Sequence, residues 1–307
     1  MEAAGELTSD AVWEGGVRLQ GDVVVPEGRT LRLRAGTALS FAAKPSWSCA
    51  VFRGAPEGYP IEASSREQCD LVVFGRLEVE GTAERPVLLG GPEDRWGGVV
   101  LAGRGTARLE HARLQGAAGG EDALIQCFDD SRLDLRHCVL SRARNGVIAW
   151  GLSSVAAHDT TVEDIGCAFF SREGSTTDLD RVQCRRVEQG AWGQNWGLIH
   201  LEDCRFEECS VFGAGAYDHS RLTVARGFFG SCGQGLLGAT HADVKVLGAE
   251  FRSNRADIQG IESARMSAKG CRFSSARQTG VLTRDNARVE IFECAFAEPA
   301  AAVAGRA

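Results

Sequence analysis

The chain lacks any run of 18 apolar residues, so no transmembrane helix is expected. It also lacks an excess of positive charge. The 34 Lys and Arg residues stand against 41 Asp and Glu, for a formal charge of −7. Nucleic-acid binders usually carry a basic surface, and this balance argues against that class. The opening MEAAGELTSDAVWEGG has neither the basic segment nor the apolar segment of a secretory leader. A cytoplasmic location is therefore expected, with an extracytoplasmic one as the alternative if a leader has been removed. A regular disulfide pattern is missing too: the 11 cysteines are odd in number and irregular in spacing, which fits a reducing compartment. Helical periodicity is absent.

What is present is a repeat. Cys204-Arg-Phe206, Gly227-Phe-Phe229, Ala249-Glu-Phe251, Cys271-Arg-Phe273 and Cys294-Ala-Phe296 occupy one recurring frame about 22 residues long. Earlier copies are Ala112-Arg-Leu114, Cys138-Val-Leu140, Thr160-Thr-Val162 and Val182-Gln-Cys184. An alternating strand precedes each copy, as in LDL (133–135), LTV (222–224) and VKV (244–246), and a second apolar stretch follows, as in NGVIAW (145–150). Two-residue alternation broken by Gly, Asn, Asp and Ser means short strands and turns. One period makes one turn of three short strands, and stacked turns give parallel sheets roughly 4.8 Å apart. The expected fold is an all-β, right-handed parallel β-helix, with residues 1–20 as an N-terminal cap. Residues 21–105 form the first turns and 106–307 the regular ones.

In such a coil, equivalent inward residues stack. Phe206, Phe229, Phe251, Phe273 and Phe296 are expected to form a buried aromatic column. The position two before each Phe is small throughout, so its cysteines read as small buried hydrophobes.

The stretches GDVVVPEGRTLRLRAGTALSF (21–41), DLVVFGRLEVEGTAERPVLL (70–89) and RWGGVVLAGRGTARLEHARLQG (95–116) resemble the opening of bacterial right-handed parallel β-helix repeat proteins, which have the pectate-lyase-like fold. The resemblance covers most of the chain. It implies the fold, which hosts lyases, hydrolases, epimerases, adhesins and binders. No catalytic set carries over, and the Asp-Pro-His motif of the alginate epimerases is missing. One interruption, residues 45–69, holds Trp47, Phe52, Tyr59 and three prolines. It is expected to be either a packed surface loop or a lid. Cys49 and Cys69 could bridge its base in an oxidising compartment.

Two outward columns carry ionisable groups. His111, His137 and Asp159, with His158 adjacent, continue into Arg181 and Asp203. They form either a charged corner or, as the alternative, a divalent-metal site; no other cofactor is expected. The second column aligns Trp196, His219 and His241, with Tyr217 and Asp218 beside them. The strands that follow add Arg221 and Asp243, and Asp178 and His200 stack in the same sheet. His219, Tyr217, Arg221 and His200 are the candidate catalytic residues. Trp196, His241, Asp178 and Asp243 are the candidate substrate binders. An indole stacks on a sugar ring, a guanidinium pairs with a uronate, and His or Tyr moves a proton. Asp178 and Asp180 could instead serve a hydrolase, and a plain polar face remains open. The leading expectation is a carbohydrate-binding or carbohydrate-active β-helix, acting as a polysaccharide lyase or epimerase. The alternatives are a non-catalytic scaffold, or a tailoring enzyme for a small molecule. The thinly covered last repeat adds an expected homodimer through the C-terminal end.

Overall fold

Each repeat has apolar residues at every second position of a five-residue strand, and the computed structural model shows what this produces. It describes all residues except 43–45, 47–67, 92–95, 118–122, 298–302 and 307. Most of the 45–69 interruption, including Cys49, therefore lies outside the described residues. Among the described residues there is no helix. The chain forms a parallel β-solenoid of about 12 turns of roughly 22 residues. It divides into two compact units, Met1–Val155 and Ala156–Ala307.

In the first unit, strands Thr30–Arg34, Arg76–Glu80, Thr106–Glu110 and Arg132–Arg136 pair in parallel and in register. Leu31, Leu77, Ala107 and Leu133 thereby form one buried ladder. Residues 1–20 contribute strands of their own. Glu2–Glu6 pairs with Gly16–Val25, and Ala11–Trp13 pairs with Thr30–Arg34, with Trp13 buried.

The second unit is more regular. Strands Thr176–Asp180, Leu198–Glu202, Arg221–Ala225, Asp243–Leu247, Arg265–Lys269 and Arg288–Phe292 stack without a register shift. A three-residue ladder runs from Gln183–Arg185 to Ala295–Ala297. A third ladder runs from Gln189–Gln194 to Val303–Arg306. Three short strands need three bends, and each bend uses a residue at positive φ. Arg181, Asp203 and Arg226 serve the first, Arg186, Glu208 and Ser231 the second, and Trp196, His219 and His241 the third. Non-glycine residues reach this region at a steric cost of roughly 1–2 kcal/mol each, so ladder pairing must hold them there.

The aromatic column forms as expected. Phe206, Phe229, Phe251, Phe273 and Phe296 stack with centroids 5.2, 5.2, 5.0 and 4.6 Å apart. The rings need room from the third ladder. A Cβ on Gly213 would lie 2.6 Å from Phe229 Cδ1, and one on Gly235 would lie 2.8 Å from Phe251 Cδ1. One turn beyond Gly235 that position is Asp257, fully buried. Its Oδ1 accepts from Asn254 Nδ2 at 2.9 Å, while its Oδ2 has no hydrogen-bond partner.

The small-residue ladder has a further logic. Cys138, Cys204, Cys271 and Cys294 direct their thiols at the carbonyl two residues earlier, at 3.2–3.5 Å. Thr160 does the same with its hydroxyl, at 3.0 Å. The position therefore takes a small side chain, and where that side chain is Cys or Thr it also donates to a bend carbonyl. Burial pushes the Cys271 thiol up to about 11, so it stays protonated at neutral pH.

Candidate functional site

The third bend of the second unit brings Trp196, His219 and His241 into one column. Trp196 and His219 stack at 4.6 Å and 12°, and His219 and His241 at 4.9 Å and 16°. All three sit at positive φ, where the side chain projects outward from the corner. Trp196 is 63% exposed although one indole face is covered by His219. Thr176 stands opposite Leu198, so the residue opposite Trp196 on its other face is Gly174, which has no side chain. One indole face is therefore open.

Other expected members lie around this column without joining it. Arg221 Nε lies 3.8 Å from Asp243 Oδ2, and Lys245 Nζ lies 3.9 Å from the same oxygen. Asp178 and His200 are direct cross-strand neighbours and both are exposed, but no hydrogen bond links them. Tyr217 turns to the neighbouring sheet instead, where its ring stacks on Trp192 at 4.6 Å. Burial, with Glu262 and Asp218 nearby, raises its phenol above the ordinary range. Among the described residues no hydrogen bond or ring contact joins Tyr217 to His219, or His200 to Arg221. The expected proton-transfer group is thus distributed over two faces.

The other column behaves in two ways. In the first unit His111 and His137 stack at 4.8 Å and 14°. Rings stacked face to face hold their nitrogen lone pairs in parallel planes, whereas ligands must converge on a metal. In the second unit Asp159 takes a bidentate contact from Arg181 at 2.7 and 2.8 Å. Asp203 receives Arg226 at 2.9 and 3.0 Å, which holds its carboxyl below the usual range. His158 Nδ1 lies 3.4 Å from Asp180, which Arg181 also contacts. Among the described residues no group of three or more His, Cys, Asp or Glu is arranged to hold a metal.

Sequence reasoning missed two features. The first is an aromatic cluster in which Trp192 stacks on Tyr217 and Phe212 and meets the edge of Phe170. Phe170 and Trp192 are register partners, but Phe212 and Tyr217 flank the equivalent Gly215 of the next turn, which hides the cluster from a column alignment. The second is a buried pair of carboxylates in the first unit, Asp22 and Asp70, each 1% exposed. The Asp70 N–H donates to Asp22 Oδ1 at 2.9 Å. Burial, then the Asp22 charge, raises the Asp70 carboxyl well above the usual range, and its Oδ2 has no partner. Neighbouring Cys69 is a free thiol pushed up to about 11, again by burial. Asp22 and Asp70 are adjacent in the ladder yet 48 residues apart in sequence, because the interruption falls between them.

Comparison of the chain with protein-family models, with curated proteins and with solved structures finds no match.

Proposed function

We propose that this protein is a carbohydrate-binding β-solenoid that seats a sugar ring on the open face of Trp196. The observation that carries the reading is the terminal ring of the Trp196–His219–His241 column, with one face stacked and the other uncovered. An indole backed by a second ring is held flat and loses little freedom when a pyranose stacks on it. Glu173 precedes Gly174 and Asn195 precedes Trp196, so both stand next to the open face in the register of the turns. Polar groups beside an aromatic platform suit hydroxyl-rich ligands. The likeness of the first third of the chain to bacterial right-handed parallel β-helix repeat proteins is consistent with this reading. Lyase or epimerase chemistry at His219 needs a proton-transfer partner, and substrate binding would have to move Tyr217 or His200 toward it. Calorimetric titration with a panel of oligosaccharides is the test. Trp196→Ala should abolish binding with an unchanged melting temperature. Equal affinity in wild type and variant refutes the platform.

A second reading, a tailoring enzyme for a small molecule, is favoured by Asp70. Its uncompensated oxygen lies on a sheet that also carries Val72, Val100 and Gln126, all buried, and Gln126 Oε1 likewise has no partner. Buried acceptors lacking donors suit a ligand that brings amine or hydroxyl hydrogens. A thermal-shift screen of small amines and polyols tests it. At least one compound should stabilise the wild type and not Asp70→Asn; a screen without any such compound ends this reading.

A further inference from the structure

Two exposed carboxylates, without ion pairs among the described residues, stand near the open face of Trp196. The ligand would lie against the turn that precedes Trp196, and that turn presents Glu173 beside Gly174 and Asp178 on the outer side of the strand Thr176–Asp180. Both carboxylates are exposed, and neither forms an ion pair among the described residues. Other charges in the neighbourhood are compensated. Asp180 contacts Arg181, and Glu202 contacts Arg226. Arg172, next to Glu173, is a cation of the same turn, directed at Phe170 with its guanidinium carbon 5.3 Å from the ring centre. Two further cations lie on the side of Trp196 that His219 already covers. There Arg221 and Lys245 both approach Asp243.

We infer that the glycan taken by this face carries free amino groups, as a polymer of the glucosamine type does, rather than uronate carboxylates. The inference rests on the glycan reading above. A protonated amine placed on the open side meets Glu173 and Asp178, whereas a uronate carboxylate there meets two like charges. Asp178 stands four residues beyond Gly174, about 13 Å along the strand at 3.3 Å per residue. A short oligosaccharide stacked on Trp196 by one sugar can therefore present amines to both carboxylates. The surface arrangement also fixes the salt dependence: attraction between exposed charges weakens as the screening length shortens.

The experiment titrates the full chain with three probes of equal length: a glucosamine oligomer, its N-acetylated counterpart and an oligogalacturonate. Calorimetry is run at pH 6 in low and in high salt. The glucosamine oligomer is expected to bind about fivefold more tightly than the N-acetylated one at low salt, with the gap closing at high salt. Glu173→Gln combined with Asp178→Asn should erase the gap between the amino and N-acetylated probes, and a gap of about fivefold that persists in this variant overturns the inference. Circular dichroism confirms that the double variant is folded. Equal binding of the amino and N-acetylated probes, or tightest binding of the oligogalacturonate, overturns the inference while the Trp196 platform stands. Absence of binding by all three probes overturns both.

Discussion

Replacing Asp257 by Asn should change how stability depends on pH. Unfolded, an aspartate titrates near 3.8; within the coil, burial pushes the Asp257 carboxyl up to about 7 against a smaller opposing effect of Asn254. Between those values the folded chain keeps the proton and the unfolded chain has released it. The unfolded state binds fewer protons there, so stability falls as pH rises. The loss begins above 3.8 and is complete above 7. Each pH unit in the window is worth about 1.4 kcal/mol, so ionising this group costs the fold about 4 kcal/mol by pH 8. An asparagine preserves the shape and still accepts from Asn254, but never ionises. Its N–H donors lie where the carboxyl oxygen already lacks a partner. The variant should match the wild type near pH 3.5 and exceed it by about 4 kcal/mol at pH 8. The assay is urea unfolding followed by circular dichroism at intervals across that range. Comparing the two proteins at each pH removes the contribution of Asp70, which also titrates high and is present in both. Wild-type and variant curves that run parallel from pH 3.5 to pH 8 would show that Asp257 is not a buried acid.

Cys271→Thr should leave stability nearly unchanged, because a hydroxyl replaces the thiol as donor to the Lys269 carbonyl. Cys271→Ala should cost about 1 kcal/mol and Cys271→Leu about 1–3 kcal/mol by overpacking, read as shifts in urea midpoint; a collapse of the fold in Cys271→Ala would contradict the ladder's role. Phe296 stacks on Phe273 and is 37% exposed, with Phe292 nearby at 49%. End-to-end association of two copies through this surface should appear in light scattering and vanish in Phe296→Asp, and a wild type that stays monomeric at high concentration counts against it.

Much of the fold was legible because a solenoid turns sequence period directly into spatial neighbourhood. The recurrence of Cys-x-Phe about every 22 residues placed Phe206 under Phe229 and Phe229 under Phe251 without any tertiary information, and the same arithmetic stacked Trp196, His219 and His241. It failed where the period is broken or where a side chain leaves its own column. Asp22 and Asp70 are one turn apart in space, but the interruption separates them in sequence. Tyr217 is two residues from His219, yet its ring reaches across to Trp192 in the preceding turn. The thiol-to-carbonyl contacts were hidden for another reason: the sequence showed that the position is small, and only the left-handed bend brings the carbonyl of residue i−2 within reach.

The sequence alone thus determined the period, the inward and outward sides of each strand and the order of every column, because these follow from two-residue alternation and a constant repeat. Only the tertiary structure decided which groups lack partners. Exposure of one Trp196 face, the uncompensated charges of Glu173 and Asp178, and the raised titration of the buried Asp70 and Asp257 carboxyls depend on what neighbouring turns place within a few ångströms. Desolvation and pairing are set by those distances, which no periodicity in the chain contains.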